Sequence, residues 1–430
     1  MLAAVPIAAQ TAVPLSLGDA VTRAAEETAA VGLAGLRVDE AEARVDEARS
    51  ALLPNLSVAA AATNRTFNVD AFGLSFPTPA GETHHPLVGP VDNVDARLRL
   101  TQPLFDPASL LRTRTAREAV KGSSAEQGSA AEAAAQRAAL AYLRASRAEA
   151  KLAARKADAA LAAELLELAQ QQLAAGVSAG IDVTRARTQK VAADGQVLVA
   201  QNAVAQAQIE LARAVGMEPG TAFQLTESLA AVTSRSALPL QADSAVAVAV
   251  AHRPELRQAQ ALIRTADAAK RAIQAERLPR VDLVADIGAS GVHPDDAIAT
   301  RQVGLMVSVP VFDGLRREAR LAEQSAVQRE GELRSNDLRQ QIAAEVQGAL
   351  LERSNGQQQA AVAQEQLALA EEELAQARER FSNGVAGNIE LINAQASLLR
   401  ARDAVIDAQF ATATAQATLA RAIGSAAELR

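Results

Sequence analysis

Two spacings of hydrophobic positions share this chain, and the pair of them occurs twice. Four short stretches alternate with period two. Ala96, Leu98 and Leu100 take one face and Asp95, Arg97, Arg99 and Thr101 the other. Val281, Leu283, Ala285 and Ile287 alternate with Asp282 and Asp286, and Val303, Leu305, Val307, Val309 and Val311 with Gln302, Gly304, Met306 and Ser308. Leu56, Val58, Ala60 and Ala62 form the weakest of the four. Each run predicts a half-buried strand of roughly ten residues. The text between them is Ala-rich and helical in period: Leu333, Leu338, Ile342, Val346 and Leu350 recur every four or five residues, and Leu367, Leu374 and Phe381 every seven.

The helical stretches are long. From Asp106 to Gly176 the only proline is Pro107, at a first-turn position where proline is tolerated, and from Gly314 to Gly384 there is none. Some 70 residues at about 1.5 Å each make a helix of roughly 100 Å. Such a helix needs lateral support along its run, and Ala on its flanks lets neighbours approach closely. An antiparallel coiled-coil hairpin is the plainest object with this pattern.

The order of signals is duplicated. Leu53-Pro54, two strands, Pro103-Leu104-Phe105-Asp106, a long helix, Ala175-Gly176-Val177, Ile181-Asp182 and Val215-Gly216 return as Leu278-Pro279, two strands, Pro310-Val311-Phe312-Asp313, a long helix, Asn383-Gly384-Val385, Ile389-Glu390 and Ile423-Gly424. Pro54, Pro103, Pro279 and Pro310 thus mark the strand boundaries. The predicted organisation is residues 1–15, a signal-peptide remnant or disordered arm; 16–216, a first repeat with a hairpin at 56–104 and a tip at 176–182; and 217–240, a linker. A second repeat at 241–424, with a hairpin at 281–312 and a tip at 384–390, and a tail at 425–430 complete it. Two copies are too few for an open solenoid and predict a closed, internally symmetric object.

Composition removes several classes of function. The chain has no cysteine, which excludes a disulfide framework and thiolate metal sites. Its net charge of −7 is well mixed and argues against nucleic acid. No run of 18 apolar residues occurs. No His, Cys or Ser constellation converges, so no catalytic residue and no cofactor is expected. His84-His85, with Glu82 and Asp92 nearby, is a poor metal site, and Glu371-Glu372-Glu373 reads as a solvated helix face.

The strands pose a closure problem. Ten residues with one apolar face suit a tilted bilayer-spanning strand, but membrane barrels begin at about eight strands and two hairpins supply four. Open edges in lipid cost several kcal/mol per orphan group, so strands that cross a membrane here must come from several subunits. A half-buried soluble sheet fits the alternation equally well. Phe67, Phe72, Phe76, Phe105 and Phe312, five of nine aromatics, lie in or beside the hairpins, where an interfacial belt would be.

The duplication, the Leu-Pro and Pro-x-Phe-Asp signals and the paired tips resemble the outer-membrane efflux protein family, the TolC-like channels, over roughly Leu15 to Gly424. The resemblance implies a mainly α fold with a small β part. In it a homotrimer closes a 12-stranded outer-membrane barrel, four strands per chain, and continues it as a long periplasmic α-helical tunnel, with 217–240 in an equatorial belt. It implies a passive export duct of a tripartite efflux or type I secretion system, and no enzyme. The expected partners are outer-membrane lipid, a periplasmic adaptor (membrane fusion protein) and, through it, an inner-membrane pump of RND or ABC type.

By the family pattern the duct closes at the tips. Gly176 and Gly384 make the turns, and Val177 and Val385 meet the adaptor. Asp182 and Glu390 match gate and entrance carboxylates, although both also fit as first-turn helix residues favoured by the macrodipole. Three positions depart from the best-known gate: Phe381 stands for a tyrosine, Ala386 for an arginine and Asn393 for a second acidic ring. Closure is therefore expected to rest on packing at Phe381 and the valine tips. A periplasmic coiled-coil adaptor or a structural protein of an envelope complex is the alternative reading.

Overall fold

The computed structural model describes residues 12–68, 70–73, 87–234, 241–385 and 387–429. In chain order it contains β1 (Val13–Leu15), α1 (Leu17–Glu27), α2 (Ala29–Ser50), β2 (Asn55–Asn68), β3 (Leu87–Phe105), α3 (Pro107–Ala174) and α4 (Gly180–Ala214). Then follow β4 (Phe223–Leu225), α5 (Leu229–Ser234), α6 (Ala242–His252), α7 (Pro254–Ala275), β5 (Arg280–Gly291), β6 (Ile298–Ser308), α8 (Arg316–Ser382) and α9 (Asn388–Ile423). The long helices α3 and α8 have 68 and 67 residues.

Local chemistry accounts for where these helices start and stop. The aspartate of each Phe-Asp pair is a helix cap. Asp106 accepts from the Ser109 amide at 3.0 Å and the Ser109 hydroxyl at 2.7 Å, and Asp313 accepts from the Arg317 amide at 3.2 Å. At the other ends, Gly176, Gly216, Gly384 and Gly424 all take the left-handed conformation, with φ of 73°, 76°, 69° and 77°. Each is followed by the same pair of reverse hydrogen bonds. At the tips these are Gly176 N–H to Leu173 O with Val177 N–H to Gln172 O, and Gly384 N–H to Phe381 O with Val385 N–H to Arg380 O, all 2.9 to 3.1 Å. One device thus ends α3, α4, α8 and α9.

Two boundaries differ from the sequence expectation. Val309 and Val311 continue the alternation of β6, yet the strand stops at Ser308 and Val309 to Phe312 are exposed coil. Pro310 has no N–H for a ladder. Pro103 is accommodated inside β3 because the register shifts between Pro103 and Phe105. Within the predicted arm 1–15, Val13 to Leu15 instead form β1, paired in parallel with β4 of the 217–240 segment. Residues 1–11 lie outside the described residues.

The chain divides into two compact units. One comprises Asp39–Lys121 and Gln260–Glu332 and holds a four-stranded antiparallel sheet in the order β2-β3-β5-β6. Its register aligns Leu56, Leu100, Ala285 and Val303 in one row; the next row, Val58, Leu98 and Ile287, ends on Arg301.

The other unit comprises Met1–Val38, Gly122–Ala259 and Leu333–Arg430. Its largest core gathers Val21, the alanines of α3 around fully buried Tyr142, Leu211, Phe223 and Leu229. Tyr142 is held by its hydroxyl, which accepts from the Glu227 amide at 3.2 Å. A second cluster packs Ile342 and Val346 against Ala245, Ala249, Leu256, Leu419 and Ile423. Leu338 and Leu350 flank it, as their spacing predicts, whereas Leu333 is 72% exposed. Beside this cluster the buried guanidinium of Arg253 donates to the carbonyls of Arg421 and Ala422 at 3.3 and 3.2 Å, and it pairs with Glu255 and Glu345. It thereby supplies donors to carbonyls of the last turn of α9.

Candidate functional site

Two places stand out: the helix tips in one unit and the exposed sheet in the other.

At the tips, the two repeats meet within one chain. A Cβ built on Gly384 would stand 3.0 Å from Val177 Cγ1, so the glycine is needed both for its positive φ and for this close approach. Gln172 Nε2 donates to the Ser382 carbonyl at 3.0 Å, and Asn388 Nδ2 donates to the Asp182 carbonyl at 2.8 Å. Four apolar side chains stand exposed in matched pairs, Val177 with Val385 and Ile181 with Ile389.

The carboxylates of the tips both have basic neighbours. Glu390 is exposed, with Oε1 3.0 Å from Arg380 Nε, and Asp182 is half-buried, with Oδ1 3.6 Å from Arg185 Nη1. Both lie in first helical turns. Asn393 is exposed one turn along α9. Ala386 lies outside the described residues.

Phe381 is packed within its own protomer. It is 3% exposed and packs in a cluster of its own chain with Leu165, Ala169, Ala186, Leu391 and Ala394. A seven-residue spacing identifies its face of α8 but not the helix opposite. The sequence reading also missed Asn388, Gln172 and Arg380. Asn388 carried a signal in its place directly before Ile389-Glu390, a polar residue at the start of a helix.

On the sheet, all residues of β6 and nearly all of β2 are exposed, including Leu56, Val58, Val303, Leu305 and Val307. Leu98 and Ile287 extend this apolar face across the inner strands. The opposite face carries ion pairs: Arg97 Nε lies 2.8 Å from Asp95 Oδ2, and Nη1 2.9 Å from Asp286 Oδ1. The outer edges of β2 and β6 have no partner strand among the described residues. No described helix is long and apolar enough to cross a membrane. Phe76, His84 and His85 lie outside the described residues, as does the side chain of Phe72.

Comparison with known proteins gives one consistent result. The sequence profile of the outer membrane efflux protein family matches residues 20–217 and 245–425. No curated protein matches the sequence. Among solved structures, the outer membrane protein VceC of Vibrio cholerae is similar with a TM-score of 0.74 at 20% identity, over 95% of this chain and 96% of that one. The CmeC outer membrane channel of Campylobacter jejuni gives 0.76 at 16%, over 95% and 86%. The open state of the MtrE outer membrane channel of Neisseria gonorrhoeae gives 0.76 at 18%, over 98% and 94%. At these identities the likeness concerns the fold, a mainly helical TolC-like chain with a small sheet. With most of its length matched by the profile, the chain belongs to the outer membrane efflux protein family.

Proposed function

We propose that three copies of this chain close a single outer-membrane barrel, continued on the periplasmic side by the long helices as a duct for export. The observation that carries this reading is the sheet: four strands, two unpaired edges and one exposed apolar face. In water that face would be an aggregation surface, and in lipid the open edges would be untenable. Edge-to-edge joining of copies removes both problems, and the ion-paired face of Arg97, Asp95 and Asp286 then turns to a water-filled lumen.

The duct is passive and needs no catalytic group. Its tips are the regulated end. Val177, Val385, Ile181 and Ile389 offer an apolar surface to the α-hairpin of a periplasmic adaptor, whose inner-membrane pump, of RND or ABC type, supplies the energy. Tripartite efflux and type I secretion both use such a duct. Asp182 and Glu390 tune ion passage, and the cluster around Phe381 keeps the tip packed. A coiled-coil adaptor or a structural protein leaves the exposed sheet without a role. Reconstitution into planar bilayers tests the reading: discrete, ohmic pores support it, and a protein that binds lipid without conducting contradicts it.

A further inference from the structure

Where the sheet meets the helices, within a single unit, a cavity of about 510 Å³ opens between the starts of α3 and α8, the end of α7 and the first residue of β5. Its wall carries five arginines, Arg112, Arg280, Arg316, Arg317 and Arg320. The carboxylates fall short of balancing them. Glu276 is shared by Arg112 at 2.7 Å and Arg320 at 2.9 Å. Asp313 holds Arg317 at 2.9 Å, and Arg280 lies 2.9 Å from Asp282 and 3.8 Å from Asp106. Exposed Arg316 has no hydrogen-bond or ion-pair partner among the described residues. Five guanidiniums thus face four carboxylates, and one of the five is free.

The duplication shows that the fold does not require this charge. Aligned on the Phe-Asp caps and the Leu-Pro pairs, Arg316, Arg317 and Arg320 correspond to Ser109, Leu110 and Thr113, and Arg280 and Glu276 to Asn55 and Ala51. At those positions the first repeat is neutral, whereas Arg112, which the first repeat itself contributes to the cavity, has Ala319 as its counterpart. A second cavity, of about 360 Å³, shares Arg112 and Arg320 and is lined by the apolar Ala116, Ala119, Ala269, Ala272 and Ile273 together with Thr115, Glu323 and Gln324. Cationic groups at one end of an apolar strip match an ion with an acidic group and an apolar body. The cavity opens on the polar side of the sheet, since Arg280 pairs in register with Ser308 and shares its face of β5 with Asp282 and Asp286.

We propose that this junction is a binding subsite for organic anions in transit, with the acidic group on Arg316, Arg280 and Arg112 and the body along the alanines of the second cavity. The inference rests on the reading above that the polar sheet face lines the duct. The test uses the full-length protein in non-ionic detergent, with the pyrene trisulfonate pyranine as probe and fluorescence anisotropy as readout. Saturable binding is expected, weakened about tenfold by Arg316→Gln and largely kept by Arg316→Lys. Arg339→Gln, an equal charge change on the exposed face of α8 away from the cavity, should leave affinity within about twofold. In planar bilayers pyranine should reduce wild-type conductance, and Arg316→Gln should relieve the block. Equal weakening by Arg316→Gln and Arg339→Gln, or no saturable binding, overturns the proposal. If wild-type pores conduct but pyranine does not bind, the subsite falls and the duct stands. If Arg316-dependent binding occurs in a protein that never conducts, the duct falls and the cavity stands as an anion site.

Discussion

The side-chain amide of Asn388 donates to the backbone carbonyl of Asp182 at 2.8 Å and thereby ties the tip of the second repeat to that of the first. Asn388 is 3% exposed, so water cannot readily replace it. Asn388→Ala removes a buried hydrogen bond between the repeats, at a cost of about 0.5–1.5 kcal/mol, and should loosen one tip from the other. Basal conductance of reconstituted pores, or antibiotic leak in cells, should rise. Wild-type conductance in the variant would mean that this bond does not hold the tip shut.

Phe381 should act through packing inside the protomer. Truncating a buried phenylalanine costs about 3–5 kcal/mol, and the loss should be confined to its cluster with Leu165, Ala186 and Leu391. Hydrogen exchange in Phe381→Ala should accelerate near 374–394 while the Tyr142 core keeps its protection. Unchanged exchange at the tip would remove Phe381 from the account of closure.

The Glu390–Arg380 pair makes a two-sided prediction about selectivity. Both side chains are about half exposed, so the pair adds little stability. On the proposed reading its effect is in the field at the duct mouth, where carboxylates favour cations and salt screens them. At low salt Glu390→Gln should lower cation preference and Arg380→Gln should raise it, each without altering assembly. Both variants matching wild type would leave Glu390 as a first-turn helix residue and nothing more.

Acid should act through the network at the end of α9. Burial pushes the Glu255 carboxyl up, but the hydrogen bond and charge of Arg421, with Arg253, more than reverse this and hold it below the usual glutamate value. The stability it adds is complete above that usual value and is lost as pH falls through the lowered one. Glu132 is opposite. Burial raises it despite the amides of Ala426 and Ala427, so its contribution is present at low pH and fades as pH rises through the raised value. The thermal midpoint should therefore drop on acidification below the ordinary carboxylate range, and Glu255→Gln should flatten that limb at the expense of stability at pH 7. An unaltered acid limb in the variant would assign acid sensitivity elsewhere.

What the sequence revealed was local. Leu-Pro, Phe-Asp and the tip glycines each solve a problem of a few consecutive residues, starting a strand, capping a helix or reversing the chain, and all are readable without tertiary context. The period-two runs likewise located all four strands of the sheet. The pairing of Val13 to Leu15 with Phe223 to Leu225 was not readable, because a three-residue strand has no periodicity and its partner lies some 210 residues away. The same holds for Arg253, whose bonds reach Arg421, Ala422 and Glu345, and for Phe381, whose spacing fixed a helix face but not its neighbour.

The claim on which the rest depends is that three chains share one barrel. Native mass spectrometry of the membrane-extracted protein, released from detergent in the gas phase, measures this directly. The account predicts a single species at three times the mass of one chain, stable at low protein concentration, with no folded monomer persisting in detergent-free buffer. A water-soluble monomer, or a stable dimer or tetramer, would contradict it, because the two open edges of the sheet would then have to be satisfied in some other way.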